Sequence, residues 1–179
     1  MGKKDDLKNL KKMLSDMSTK LNYMGNNTKV SELGKARDRA GKDVQRAQGR
    51  VNKATTAAAT ALRDLKIALD ADTKATEAYQ GDMENEGLEK AFAAAVATTK
   101  AAQDTQKAAE KELEEAKAEL DRFADILRGL DKEDEDNFME MQAFRKEMER
   151  VQAAANKLQK EIEFDDANSM SAKFKKLFS

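Results

Sequence analysis

Apolar and small residues, with two charged exceptions, recur at alternating steps of three and four from Val30 to Tyr79 without a slip in phase. This spacing places them on one face of an α-helix and is the heptad repeat of a coiled coil. The chain of 179 residues contains no proline, the residue that interrupts helices. The pattern predicts long helices that pack through narrow apolar seams.

Two further seams extend this pattern, one from Leu7 to Met24 and one from Leu88 to Ile162. The stretches "GNN" and "QGDMENEG" separate the three seams, and their glycine and polar content is typical of helix breaks and turns. We predict a single elongated helical unit over residues 1–179. Its parts are a helix at 3–24, a hinge at 25–27, a long helix at 28–79, a turn at 80–87, a long helix at 88–163 with a weak point at 129–137, and a tail helix at 169–179.

Folding the chain at the turn pairs the second and third seams when residue numbers sum to 167. In most layers a large side chain then faces a small one, as close-packed interiors favour. The alanines of "KAFAAAVATTKAAQ" (90–103) would let the helices approach closely. We therefore predict an all-α fold, an elongated antiparallel coiled-coil helical hairpin with an Ala-rich seam, plus an N-terminal helix and a short C-terminal amphipathic helix. The main seam residues are Val44, Ala47, Val51, Ala54, Leu65, Phe92, Ala102, Leu113, Ala116, Leu120 and Phe123.

The ends of the chain fit the same hairpin. With a sum of 165, all six residues of the first seam find partners between Met141 and Leu158. The alternative is that the ends fold back into a shorter bundle of three or four helices.

Two charged residues, Arg37 and Asp72, occupy seam positions. Their charges either reach solvent past the seam or set the register and the choice of partner, as polar seam residues can do.

Charge is distributed unevenly along the predicted hairpin. Residues 28–53 have a balance of +5, and residues 114–136, which lie opposite, have a balance of −6. One interpretation is electrostatic pairing of the two helices, since flanking charges guide coiled-coil pairing. The other is a nucleic-acid surface, but residues 28–53 have no interleaved aromatics for base stacking, which counts against binding of a single strand.

The tail "SMSAKFKKLFS" (169–179) departs from the heptad phase and is amphipathic as a helix. It has three possible roles: docking on the chain's own acidic region, binding a partner protein, or lying on an anionic membrane. The candidate docking residues are Met170, Lys173, Phe174, Lys175, Lys176, Leu177 and Phe178.

Catalytic chemistry has few candidates in this composition. The chain contains neither histidine nor cysteine, and it has no glycine-rich phosphate loop. The acidic run Asp131–Asp136 lacks the glycine and the terminal glutamate of a calcium-binding loop. We therefore expect no enzyme activity, catalytic residue, cofactor or metal.

The order of a leading helix, a long basic helix, a tight turn and a longer second arm resembles the phage-shock and ESCRT-III membrane-remodelling proteins. Here Lys3–Met24, Thr28–Tyr79, Gln80–Gly87 and Leu88–Phe164 fill those places, and "GDMENEGLEKAF" resembles the family's turn. The resemblance implies a role on a membrane surface. A helical rod with a short basic terminal helix is also similar to phage scaffolding proteins, which implies docking on a coat protein.

Together these features predict a non-enzymatic structural protein. We expect a rod that scaffolds or spaces a larger assembly, such as a filament or virus particle, through self-association and its tail. Its expected partners are copies of itself or another structural protein. The alternatives are a coat on an anionic membrane and, less favoured, nucleic-acid binding through residues 28–53. No secretion signal or membrane span is recognisable, so we expect a location in the cytoplasm or within a virus particle.

Overall fold

The computed structural model describes residues 2–26 and 28–179, which form three helices and no strand. Helix α1 spans Lys3–Gly25, α2 spans Thr28–Gly81, and α3 spans Glu86–Leu177. The predicted all-α class is confirmed. Good helix formers dominate all three elements, and proline is absent throughout.

Helix α3 differs from the prediction because it runs unbroken from Glu86 to Leu177. The sequence had predicted a weak point at 129–137 and a separate tail helix at 169–179, but both stretches belong to this one helix. After Gly129 the sequence contains no glycine and no proline, so nothing in the backbone chemistry stops the helix. The change of hydrophobic phase at the tail is therefore a change of helix face, not a helix end.

Both predicted interruptions between helices are shorter than expected. Helix α1 ends at Gly25, and the Asn26 N–H donates to the Asn22 carbonyl at 3.0 Å. Asn27, the rest of the predicted hinge, lies outside the described residues. The turn between α2 and α3 covers only 82–85, and the Asn85 side chain caps α3 by accepting a hydrogen bond from the Leu88 N–H at 3.2 Å.

Tertiary contacts group the residues into two compact units, whereas the sequence analysis treated the chain as one. The first unit contains residues 1–36 and 130–179, and the second contains residues 37–129. The boundary within α3 therefore falls at Gly129, where the predicted weak point begins.

The second unit packs α2 against the first part of α3, in a hairpin-like arrangement. All predicted seam positions in this unit are buried or half-buried. The buried residues of α2 here are five alanines at intervals of seven, together with Leu65: Ala40, Ala47, Ala54, Ala61 and Ala68. On α3, Ala116 is completely buried, at 0% exposure. Near the turn, the rings of Tyr79 and Phe92 stack with centroids 5.4 Å apart.

The first unit packs α1 against the last part of α3. Its core consists of Leu7, Ala155 and Ile162, with Leu10, Leu14 and Leu158 partly buried around them. The first seam thus packs against the later part of the third seam, the region with which it was predicted to pair.

Candidate docking surface

The tail of α3 extends past the last buried residue of the chain. Ile162 is buried against α1, but every residue from Glu163 to Ser179 is exposed. Docking of the tail on the chain's own surface, one of the three predicted roles, is therefore not the arrangement in this structure.

Ion pairs join the first turn of α1 to α3, at the end of the stretch where the two helices contact each other. The Lys3 ammonium lies 2.8 Å from the Asp165 carboxylate and 3.7 Å from that of Glu161, and Lys4 lies 3.1 Å from Asp166. The hydrogen bond and charge of Asp165 raise the pKa of Lys3 above its ordinary value. Because α1 begins at Lys3, α3 continues for about three further turns without it, at 3.6 residues per turn.

The apolar residues of the tail lie on a different face from the seam. Steps of three and four beyond Ile162 lead to Asp165, Ser169, Ala172 and Lys176, none of which is large and apolar. Phe164, Met170, Phe174, Leu177 and Phe178 fall instead on the opposite half of the helix. The apolar face of the tail therefore points away from the side that packs against α1.

These five apolar side chains, which we call the tail face, form an exposed surface. They are between 64% and 79% exposed, and the rings of Phe174 and Phe178 contact each other with centroids 4.7 Å apart. Five large apolar residues gathered on one exposed helix face are typical of an interaction site.

Three lysines give this part of the chain a positive charge. Lys173, Lys175 and Lys176 are all exposed, and the last two lie in the final turn of α3. Cations there complement the partial negative charge of a helix C-terminus, so they stabilise the tail as a helix. They also favour an acidic partner surface.

The remaining predicted site residues lie in the second unit. Among the seam residues, Ala47, Ala54, Leu65 and Ala116 are buried. The other seven are half-buried. The two charged seam residues, Arg37 and Asp72, are half-buried as well. The Asp72 carboxylate accepts a hydrogen bond from Thr76 of its own helix at 3.5 Å, so its role in setting the register stays a prediction.

A cluster of ionic contacts between α2 and α3 involves a residue that the sequence analysis did not single out. The Arg50 guanidinium donates to Glu112 through Nε at 2.8 Å and Nη2 at 3.0 Å, and to Glu119 through Nη1 at 2.5 Å. This pairing lowers the pKa of the Glu112 carboxyl. The sequence does indicate that these side chains lie beside the seams. Arg50 directly precedes the seam residue Val51, and each glutamate directly precedes a seam residue of α3.

Comparison with known proteins does not extend these observations. No family model matches the sequence, and no curated protein is significantly similar to it. In the part of the chain that the structure describes, no helix has a stretch long and apolar enough to cross a membrane. Over the same residues, no group of three or more acidic side chains is arranged to hold a metal ion.

Proposed function

We propose that this chain is a non-enzymatic structural protein that assembles with other protein chains through the tail of α3. One observation carries the proposal. The tail face is exposed, is large and apolar, and points away from the side of α3 that packs against α1. Burying apolar area of this kind stabilises protein association, and a docked partner would supply that burial.

In this proposal α2 and α3 form an antiparallel coiled coil that acts as the rigid part of the scaffold. The interval of seven between the buried alanines supports it, because a strict seven-residue repeat is the pattern that produces a left-handed supercoil. Paired charges beside the seam, such as Arg50 with Glu112, are typical of helices held in one register.

A second candidate is a coat on an anionic membrane surface. The observation that favours it is the placement of Lys173 and Lys175 on either side of the tail face, since basic amphipathic helices bind anionic lipid. One tail of this length binds a bilayer weakly, so the candidate also needs many copies acting together.

Nucleic-acid binding through residues 28–53 has less support. Arg50 is occupied by two glutamates of α3, and Arg46 lies 3.5 Å from Asp43 of its own helix. These contacts favour the interpretation that the basic residues of 28–53 pair with acidic residues of the same chain.

A variant of the tail tests the proposal. The double substitution Phe174→Ser/Phe178→Ser removes the contacting ring pair, and Leu62→Ser/Ile67→Ser, at exposed positions of α2, is the matched control. Sedimentation velocity and negative-stain microscopy would compare both with the unaltered protein, with and without anionic vesicles. We expect assembly to be lost only in the tail variant.

Two outcomes would contradict the proposal. If the tail variant assembles as strongly as the unaltered protein, the tail is not required for assembly. Binding to anionic vesicles that needs the tail and weakens with salt, with no assembly in solution, would favour the membrane coat instead.

A further inference from the structure

A second exposed apolar surface lies on α3 outside its seam. Phe138 and Met139 are 58% and 61% exposed and adjacent in sequence. The ten residues from Asp131 to Glu140 contain six acidic residues and a single lysine. We call Glu135, Asp136, Phe138 and Met139 the acidic patch. It presents two large apolar side chains one helical turn after a cluster of carboxylates.

We propose that the tail face of one copy of this chain docks on the acidic patch of a second copy. This inference rests on the proposed function and names the partner of the tail. Its basis is complementarity, because residues 169–179, which hold all of the tail face except Phe164, contain three lysines and no acidic residue, whereas the patch is apolar and strongly acidic. Opposite potentials steer association and fix the register of an interface.

The contact has to form between two molecules. Tail and patch belong to the same unbroken helix, and Phe138 and Phe174 are 36 residues apart in it. At ~1.5 Å per residue, the helix separates them by about 54 Å. A tail therefore cannot reach the patch of its own chain while α3 stays helical.

Four other exposed apolar residues fit the tail less well. Met13 and Tyr23 lie on α1, which carries six lysines against three aspartates and would repel the tail. Ile67 on α2 is flanked by charges of both signs. Met83 has acidic neighbours but is a single side chain in the turn, so it offers less apolar area than the pair at 138–139.

Every copy carries both surfaces, so the same contact can be repeated from one molecule to the next. Two different surfaces that meet in this way form a heterologous interface, which produces rings or open chains unless a pair closes it reciprocally. A helical segment of this length buries a small interface, and we expect weak association that needs high protein concentration.

Complementation between two variants tests the contact. The tail variant is Phe174→Ser/Phe178→Ser, and the patch variant is Phe138→Ser/Met139→Ser. All four positions are exposed, so we expect both variants to retain the helical content and unfolding temperature of the unaltered protein. Met83→Ser is the matched control at the other acidic site. Sedimentation velocity up to about 0.5 mM covers the range expected for a weak interface.

We expect each variant alone to associate at least about tenfold more weakly than the unaltered protein. The mixture should form complexes of one copy of each, because the intact tail of the patch variant can dock on the intact patch of the tail variant. We expect Met83→Ser to associate normally. Charge reversal at the two lysines that flank the tail face gives a second readout: Lys173→Glu/Lys175→Glu should abolish association, and mixing it with Glu135→Lys/Asp136→Lys should restore it.

The outcomes separate this inference from the proposed function. If the tail variant loses association while the patch variant keeps it, the patch is overturned as the partner, and assembly through the tail still stands. Loss of association in Met83→Ser, or failure of the mixture to form complexes, also overturns the inference. If the unaltered protein stays monomeric at the highest concentration, copies of the chain do not bind one another, and docking of the tail face on the acidic patch of a second copy is overturned.

Discussion

The Thr99 hydroxyl donates a hydrogen bond to the main-chain carbonyl of Ala68, at 3.2 Å, from α3 to α2. Other threonine hydroxyls of these helices bond four residues back in their own helix, as Thr98 does to Ala94 at 2.9 Å. The contact requires close approach of the two helices, which the alanine at position 68 permits. Its residue numbers sum to 167, the value used to pair the seams.

Replacing Thr99 with valine removes this bond at nearly constant volume. We expect Thr99→Val to lower the free energy of unfolding by roughly 0.5–1.5 kcal/mol, the usual net contribution of one hydrogen bond. Thr98→Val is the matched control, because Thr98 is exposed and its hydroxyl bonds within α3. Urea denaturation followed by circular dichroism measures both variants. Equal effects of the two substitutions would show that the contact between helices contributes nothing.

Ala54 tests the close packing of the seam. It is only 3% exposed, so Ala54→Leu should force α2 and α3 apart and destabilise the fold by about 1–3 kcal/mol through overpacking. The same change at the exposed Ala57 is the control, with an expected effect near zero. Thermal unfolding of the two variants makes the comparison. An unchanged unfolding temperature for Ala54→Leu would contradict close approach at this layer.

The ion pair between Arg50 and Glu112 should make the stability of the fold depend on pH. Pairing with Arg50 lowers the pKa of Glu112 from 4.5, so the ionised form favours the folded state. The contribution is present above about pH 4.5, the unfolded value, and is lost as the pH falls through the lower folded pKa. Arg50→Gln should therefore destabilise at pH 7 and have less effect at pH 3. Lys53→Gln, on the same helix, is the control. Denaturation midpoints at the two pH values provide the measurement, and an Arg50 effect that does not change with pH would contradict the pairing.

The docking of α1 depends on a small apolar cluster. Leu7 is buried beside Ala155 and Ile162, and Leu7→Ala should weaken this docking by roughly 2–3 kcal/mol through loss of packing. Hydrogen exchange of α1 amides should accelerate, while exchange in the second unit stays unchanged, because stability is local in such helical units. Met13→Ala, at a half-exposed position of α1, should leave exchange nearly unchanged. Faster exchange in both units would show that α1 and the second unit unfold together.

Much of this fold follows from hydrophobic spacing alone. Steps of three and four predicted which face of α2 and which face of α3 is buried, because a heptad repeat specifies a helix face independently of the partner. Val30 is the exception, since it is a seam position at the start of α2 but reaches 36% exposure.

Helix ends were harder to predict than helix faces. Asp131–Asp136 and the stretch near Phe164 suggested breaks, yet α3 continues through both. Charged and polar residues lower helix propensity by only a few tenths of a kcal/mol each, which long helices tolerate. Residue spacing places Arg50, Glu112 and Glu119 beside the seams, but it does not specify which of these side chains pair, because that depends on side-chain geometry.

Alanine in the seam of α2 affects how stability changes with temperature. Across the described residues no large side chain is completely buried, so unfolding exposes little apolar surface for each residue. The heat capacity change on unfolding depends mainly on that surface and should fall below the usual ~12–15 cal/mol/K per residue. The stability curve of this chain should therefore be unusually flat, with resistance to cold denaturation and a broad thermal transition.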